Sequence, residues 1–128
     1  MSATIAFTPS DLTAILAVSN DWWTAFFRVA WETGQRRSDL LNLRWDQLDD
    51  DGTLRVVQAK SGVEFVCQLS PETTAAVRAM RRPEDRLIFS AEGRSVPDEW
   101  KSLLQRAGID RVSLGELRSS ALRRLIED

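Results

Sequence analysis

Three basic side chains in separate parts of the sequence could together hold a phosphate: Arg36, Lys60 and Arg118. An arginine presents a planar fork of donors that binds two phosphate oxygens at once, whereas lysine is a point charge on a flexible stem. A lysine at a hairpin tip can reach into a groove or donate a proton. Each residue taken alone is more typical of a solvated surface, so the phosphate hypothesis requires that the three elements converge.

The composition lacks most of the side-chain types that usually take part in phosphate chemistry. The chain has no histidine, no tyrosine and one cysteine. Histidine-based metal sites and Ser-His-Asp triads are therefore excluded, and one thiolate cannot build a zinc site. We expect no metal and no cofactor, and we interpret Cys67 as a small core residue rather than a nucleophile.

Length and charge indicate a single soluble domain. A chain of 128 residues, 43% hydrophobic and 28% charged, can bury a core of its own. No segment approaches ~18 uninterrupted apolar residues and no signal-peptide pattern opens the chain, so we expect no membrane association and a cytoplasmic location. The net charge of −2 counts against strong autonomous nucleic-acid binding, although it permits a local basic patch.

Helix signals in the first third of the chain lie on both sides of the first arginine. A threonine, a proline and an aspartate within residues 8–11 predict a helix that runs to about residue 19. A second helix is predicted over residues 21–33, where an aromatic stripe at helical spacing is typical of core packing. Gly34 can end this helix in a left-handed conformation, and Ser38 can start a short third helix.

The middle of the chain switches to the period of β-strands. Residues 54–57 and 63–69 are strand-like, and the turn between them predicts a β-hairpin with Lys60 at its tip. The remaining signals are a helix that opens at 70–73 and runs to about residue 81, an extended segment at 87–89, and helices starting near Pro97 and Leu114. We predict an α+β fold that is mainly helical with one small antiparallel β-sheet.

Two carboxylates, Glu32 and Asp39, flank the arginine corner. Opposite charges this close along a chain favour ion pairs over acid–base chemistry. We therefore expect these carboxylates to pair with Arg36 or Arg37.

The order of these features resembles the catalytic domain of the tyrosine recombinases, the phage integrase family. The family's first motif, roughly T-G-x-R-x-S-E-L-x-x-L-x-W, is similar to TGQRRSDLLNLRW at residues 33–45. A lysine-bearing hairpin (59–62), a Leu-Ser-Pro-Glu helix start (69–72) and a Leu-Ile-Phe segment (87–89) follow in the family's order. The family's His-x-Leu-Arg-x-Ser motif is matched by GELRSS at residues 115–120. The resemblance covers nearly the whole chain and implies an integrase-like catalytic-domain fold.

The resemblance also implies roles for particular residues. Arg36 and Arg118 match the two catalytic arginines, which in the family clamp the scissile phosphate and stabilise its pentavalent transition state. Lys60 matches the hairpin lysine that helps to protonate the leaving 5′-hydroxyl. The family needs no metal, and the expected partner is double-stranded DNA. The candidate DNA-contacting residues are Arg36, Arg37, Lys60 and Arg118.

The chain departs from the family pattern at its catalytic core. Gly115 stands in place of the motif histidine, and the family's nucleophilic tyrosine would lie beyond Asp128, so the domain resembles a C-terminally truncated one. Without a nucleophile no covalent phosphotyrosyl intermediate forms. The resemblance therefore leaves open whether the chain is an enzyme, and we expect no activity from this chain alone. Residues 1–128 are predicted to form one domain without the family's N-terminal DNA clamp, so DNA binding is expected to be weak.

Three functions remain open from the sequence. The first is a truncated or degenerate integrase-type domain that is inactive but binds DNA. The second is a fragment of an active tyrosine recombinase. The third is a protein-interaction module that keeps the fold and either self-associates or binds a partner protein. The three family-matched cations and the absent tyrosine favour the first.

Overall fold

The fold is mainly helical and contains a small antiparallel sheet, as the sequence predicts. A computed structural model describes residues 8–82 and 84–109. The predicted helix from Leu114, with Gly115 and Arg118, lies outside these residues. Along the described chain the elements are α1 (Pro9–Val18), α2 (Asp21–Thr33), α3 (Arg37–Leu41), a 3₁₀ turn (Trp45–Gln47), β1 (Thr53–Val57), β2 (Glu64–Gln68), α4 (Pro71–Ala79) and α5 (Val96–Ala107).

Helix α2 forms the centre of the core, and both of its ends lie where the sequence predicts. The Asn20 side chain accepts a hydrogen bond from the Trp23 amide at 2.9 Å, which caps the start of the helix. Gly34 ends the helix with φ 65°, a conformation that favours glycine because it has no Cβ. Trp23, Phe26 and Phe27 are buried, which confirms the prediction of an aromatic core stripe.

Three other helices surround this core. The Thr8 hydroxyl accepts from the Asp11 amide at 3.1 Å, and this capping box starts α1 where the sequence predicts. Helix α1 packs against both α2 and α5, and α4 packs against α2. Helix α4 ends at Ala79, two residues before its predicted end. In the described ranges, no helix combines the length and apolar character needed to cross a membrane.

The predicted hairpin is present, and its register sets which side chains face the core. Strands β1 and β2 pair antiparallel from Thr53 opposite Gln68 to Val57 opposite Glu64. The inner face buries Leu54 and Val56. Cys67 lies opposite Leu54 and is half-buried, so it borders the core instead of filling it.

Candidate phosphate-binding site

Arg36 lies at the corner between α2 and α3. After the left-handed turn at Gly34, Arg36 has an extended backbone with φ −71° and ψ 149°. Its carbonyl accepts from the Leu40 amide at 3.0 Å, so Arg36 occupies the N-cap position of α3. Helix α3 begins at Arg37, one residue before the predicted start at Ser38. Arg36 is half-buried and Arg37 is exposed, and the two residues are adjacent at this corner.

Lys60 lies in the exposed turn that joins β1 to β2. The Gln58 amide donates to the Val63 carbonyl at 2.9 Å, and the Gly62 amide donates to the Gln58 carbonyl at 2.7 Å. These two bonds close the backbone of the turn around Lys60. The side chain itself is exposed, and it forms no salt bridge with any residue in the described ranges.

Two side-chain hydrogen bonds join this turn to the arginine corner. Gln58 Nε2 donates to Gln35 Oε1 at 2.6 Å, and the Ala59 amide donates to Asp39 Oδ1 at 2.9 Å. Gln35 and Asp39 are only 4% and 5% exposed. Because these two residues flank the candidate arginine in sequence, the elements that carry the arginine and the lysine are adjacent in the fold.

The ion pairs predicted at the corner are wrong. Asp39 accepts from a backbone amide, and Glu32 accepts from the Ser70 amide at 2.7 Å and the Ser70 hydroxyl at 3.0 Å. Neither Arg36 nor Arg37 takes part in a salt bridge within the described part of the chain. A donor left unpaired inside a protein costs about 1–3 kcal/mol, more than an exposed ion pair usually contributes. The carboxylates therefore satisfy backbone and hydroxyl donors, and the guanidinium groups of Arg36 and Arg37 remain available to a ligand.

The structure thus places the elements that carry two of the three candidate cations next to each other. Arg36 and Lys60 belong to adjoining elements, whereas Arg118 lies outside the described residues. The sequence interpretation missed Gln35 and Gln58, which connect those elements. The available signal was the position of Gln35, between the helix-ending glycine and the arginine of the first motif.

A separate cleft of about 580 Å³ lies beside the start of α2. Two of the three arginines that line it already have partners. Arg94 lies 4.3 Å from the Trp22 ring centroid and 2.6 Å from a Glu99 carboxylate oxygen. Arg81 likewise lies over the Trp45 ring at 5.1 Å. Helix α2 has 13 residues and so spans about 20 Å at a rise of ~1.5 Å per residue. The cleft is therefore at the opposite end of α2 from the arginine corner and is not part of the candidate site.

Comparison with known proteins identifies the family. The chain belongs to the phage integrase family, whose sequence profile matches residues 6–128. A comparison with curated protein sequences finds no match.

Solved structures of recombinases share this fold. XerA recombinase is 18% identical with a TM-score of 0.79, and the alignment covers 98% of this chain and 52% of that one. The lambda integrase catalytic core is 21% identical with a TM-score of 0.75, covering 97% of this chain and 84% of that one. Lambda integrase bound to DNA is 20% identical with a TM-score of 0.71, covering 95% of this chain and 52% of that one. The chain thus spans about half the length of the XerA chain. The likeness confirms the predicted integrase-like catalytic-domain fold.

Proposed function

We propose that this chain is an integrase-type DNA-binding domain that holds a backbone phosphate between Arg36 and Lys60. Arg118 is the expected third cation, and Arg37 is a neighbouring contact. The observation that carries the proposal is the pair of hydrogen bonds that joins the corner to the lysine turn. In the described ranges neither Arg36 nor Lys60 has a salt-bridge partner. A guanidinium fork and an ammonium group on adjoining elements suit one tetrahedral anion.

Two findings support DNA as the source of that phosphate. The chain belongs to the phage integrase family, and the similar lambda integrase structure is bound to DNA. Each phosphate contact lowers the slope of log K against log salt concentration by about 0.9 on duplex DNA. Four cations therefore give a slope of about −3.6, so binding weakens about 150-fold between ~50 and ~200 mM salt. We expect weak binding that is measurable only at low salt.

Fluorescence anisotropy with a labelled duplex across a salt series tests this proposal. Arg36→Ala and Lys60→Ala should each make the slope shallower by about 0.9, because each removes one phosphate contact. Lys101→Ala is the matched control, since Lys101 is exposed on α5, which packs against α1 and not at the corner. It removes the same charge and should keep the wild-type slope. Absence of wild-type binding at low salt, or a wild-type slope in Arg36→Ala, would contradict the proposal.

We further propose that this chain alone neither cuts nor joins DNA. The sequence has no tyrosine to attack the phosphate and no histidine to assist proton transfer. Cations can hold and polarise a phosphodiester, but exchange of its ester bond requires a nucleophile. Incubation with a nicked duplex should therefore give no strand cleavage and no covalent protein–DNA species on a denaturing gel. A covalent species that survives denaturation would refute the proposed inactivity.

A protein-interaction role is the second candidate function, and one observation favours it. In the described ranges, the exposed large hydrophobic residues are Val57, Val63 and Val66, at 50%, 57% and 55% exposure. All three belong to the hairpin or its turn, so this part of the surface combines exposed valines with Arg55 opposite Val66 and Glu64 opposite Val57. If this surface mediates self-association, light scattering should show dimers that a Val66→Lys variant lacks. A monomer at high protein concentration would count against this candidate.

A further inference from the structure

The link between the corner and the lysine turn belongs to a longer chain of hydrogen bonds. Gln35 Nε2 donates to the Thr33 carbonyl at 3.1 Å, and Gln35 Oε1 accepts from Gln58 Nε2 at 2.6 Å. Gln58 Oε1 in turn accepts from the Ser61 hydroxyl at 3.0 Å, and the Ser61 oxygen accepts from the Val63 amide at 3.2 Å. We call the Gln35–Gln58 pair the glutamine bridge. It connects the last turn of α2 to the far side of the lysine turn.

Burial makes the glutamine bridge more than an incidental surface contact. Gln35 is 4% exposed, so water cannot readily replace its partners, and each lost hydrogen bond leaves a buried polar group unsatisfied. Gln58 uses its NH₂ group toward Gln35 and its oxygen toward Ser61, and its backbone also closes the turn. The side-chain orientation of Gln58 is therefore coupled to the conformation of the turn that carries Lys60.

We infer that the glutamine bridge positions Lys60 relative to Arg36 and so sets how much Lys60 contributes to phosphate binding. This inference rests on the proposed function. Gln35 and Gln58 are positioning residues, because they act through Lys60 and do not themselves supply charge to the anion. Without the bridge, the turn can change its angle to the corner, and the Lys60 ammonium then spends less time where a phosphate oxygen would lie.

The test is a double-mutant cycle on the salt dependence of duplex binding. Gln58→Met keeps the length of the side chain but removes both of its hydrogen bonds, and Lys60→Met removes the charge. Lys60→Met should make the slope shallower by about 0.9 and weaken binding on the order of ten-fold at ~50 mM salt. Gln58→Met should shift the slope in the same direction by a measurable part of that amount, because Lys60 keeps its charge but loses its position. The double variant should lose no more than Lys60→Met alone, because Gln58 acts only through Lys60. Purely structural damage would instead add to the effect of losing the charge.

Gln68→Met is the matched control for the glutamine substitution. Gln68 is an exposed glutamine at the other end of the hairpin, where it accepts from the Thr53 hydroxyl at 3.0 Å and donates to the Asp51 carbonyl at 2.6 Å. It should keep the wild-type slope. In Gln58→Met, retained hydrogen-exchange protection of the Ala59 amide would show that the turn is still attached through the Asp39 carboxylate.

The outcomes separate the two proposals. If Lys60→Met makes the slope shallower and Gln58→Met does not, the positioning inference is overturned while the proposed function stands. Additive effects in the double variant overturn it as well. If Lys60→Met itself leaves the slope unchanged, the proposed role of Lys60 is wrong and the positioning inference fails with it.

Discussion

Replacing Asp39 is the most direct perturbation of the corner, because its buried carboxylate holds the Ala59 amide at 2.9 Å. A hydrogen bond to a charged group contributes about 1.5–3 kcal/mol. A carboxylate in the first turn of a helix adds about 0.3–1 kcal/mol. Asp39→Ala should therefore lower the free energy of unfolding by about 2–4 kcal/mol. Because Ala59 is itself exposed, water can replace part of the lost bond, which places the expected value near 2 kcal/mol.

Asp39→Asn separates the geometry of this contact from its charge. The amide oxygen can still accept from Ala59, but a neutral bond is about half as strong as a charge-assisted one, so the expected loss is about 1 kcal/mol. Urea denaturation followed by the fluorescence of the five tryptophans measures both losses. Asp50→Ala, at an exposed aspartate, is the control. If Asp39→Ala lies within about 0.5 kcal/mol of Asp50→Ala, the carboxylate does not hold the turn, and the site loses one of its two links.

Three further predictions concern the elements around the site. Glu32→Ala removes the acceptor for the Ser70 amide and hydroxyl. It should lower the free energy of unfolding, measured by urea denaturation, by about 3 kcal/mol, and a loss below about 1 kcal/mol would contradict this. Gly52→Ala should destabilise the fold by about 1–3 kcal/mol and so lower the melting temperature. Gly52 has φ +89°, and an added Cβ would meet a threonine oxygen at 2.8 Å. An unchanged melting temperature would refute this. The pKa of Asp51 is lowered from its usual 3.8 because its carboxylate accepts from the Thr53 backbone amide at 3.0 Å. The stability that it contributes is therefore present above pH 3.8 and is lost as the pH falls through the folded-state pKa, so Asp51→Asn should lose less stability than wild type on acidification in a urea series. Parallel losses in the two proteins would show that Asp51 does not contribute.

Helix α2 could be predicted from the sequence to the residue because both of its ends are signalled locally. The Asn20 cap and the left-handed Gly34 depend on a few neighbouring residues and on no tertiary contact. The hairpin was predictable for a similar reason, since alternating burial and a glycine-containing turn are local patterns. The predicted end of helix α4 was less accurate, because no glycine marks the position where the helix stops.

The connections within the candidate site could not be predicted in this way. Gln35 and Gln58 are 23 residues apart, and neither residue type favours a particular partner. Their contact depends on how the hairpin docks against α2 and α3, which the burial of Leu54 and Val56 largely sets. The ion pairs expected for Glu32 and Asp39 do not form, because their amide and hydroxyl partners at Ala59 and Ser70 are distant in sequence and approach the carboxylates only in the folded chain.

The use of these carboxylates explains how a chain with a net charge of −2 can keep arginine donors available at the corner. Glu32 and Asp39 are committed to amide and hydroxyl donors, so they do not neutralise Arg36 or Arg37 as ion pairs. The net charge acts over long distances, and salt at ~0.1 M screens its effect beyond about 10 Å. A phosphate contact, in contrast, acts at hydrogen-bond range. The acidic balance of the whole chain therefore opposes the approach of DNA more than it opposes the contact itself. For this reason the slope of the salt dependence, which counts contacts, is a better test of the corner than affinity at a single salt concentration.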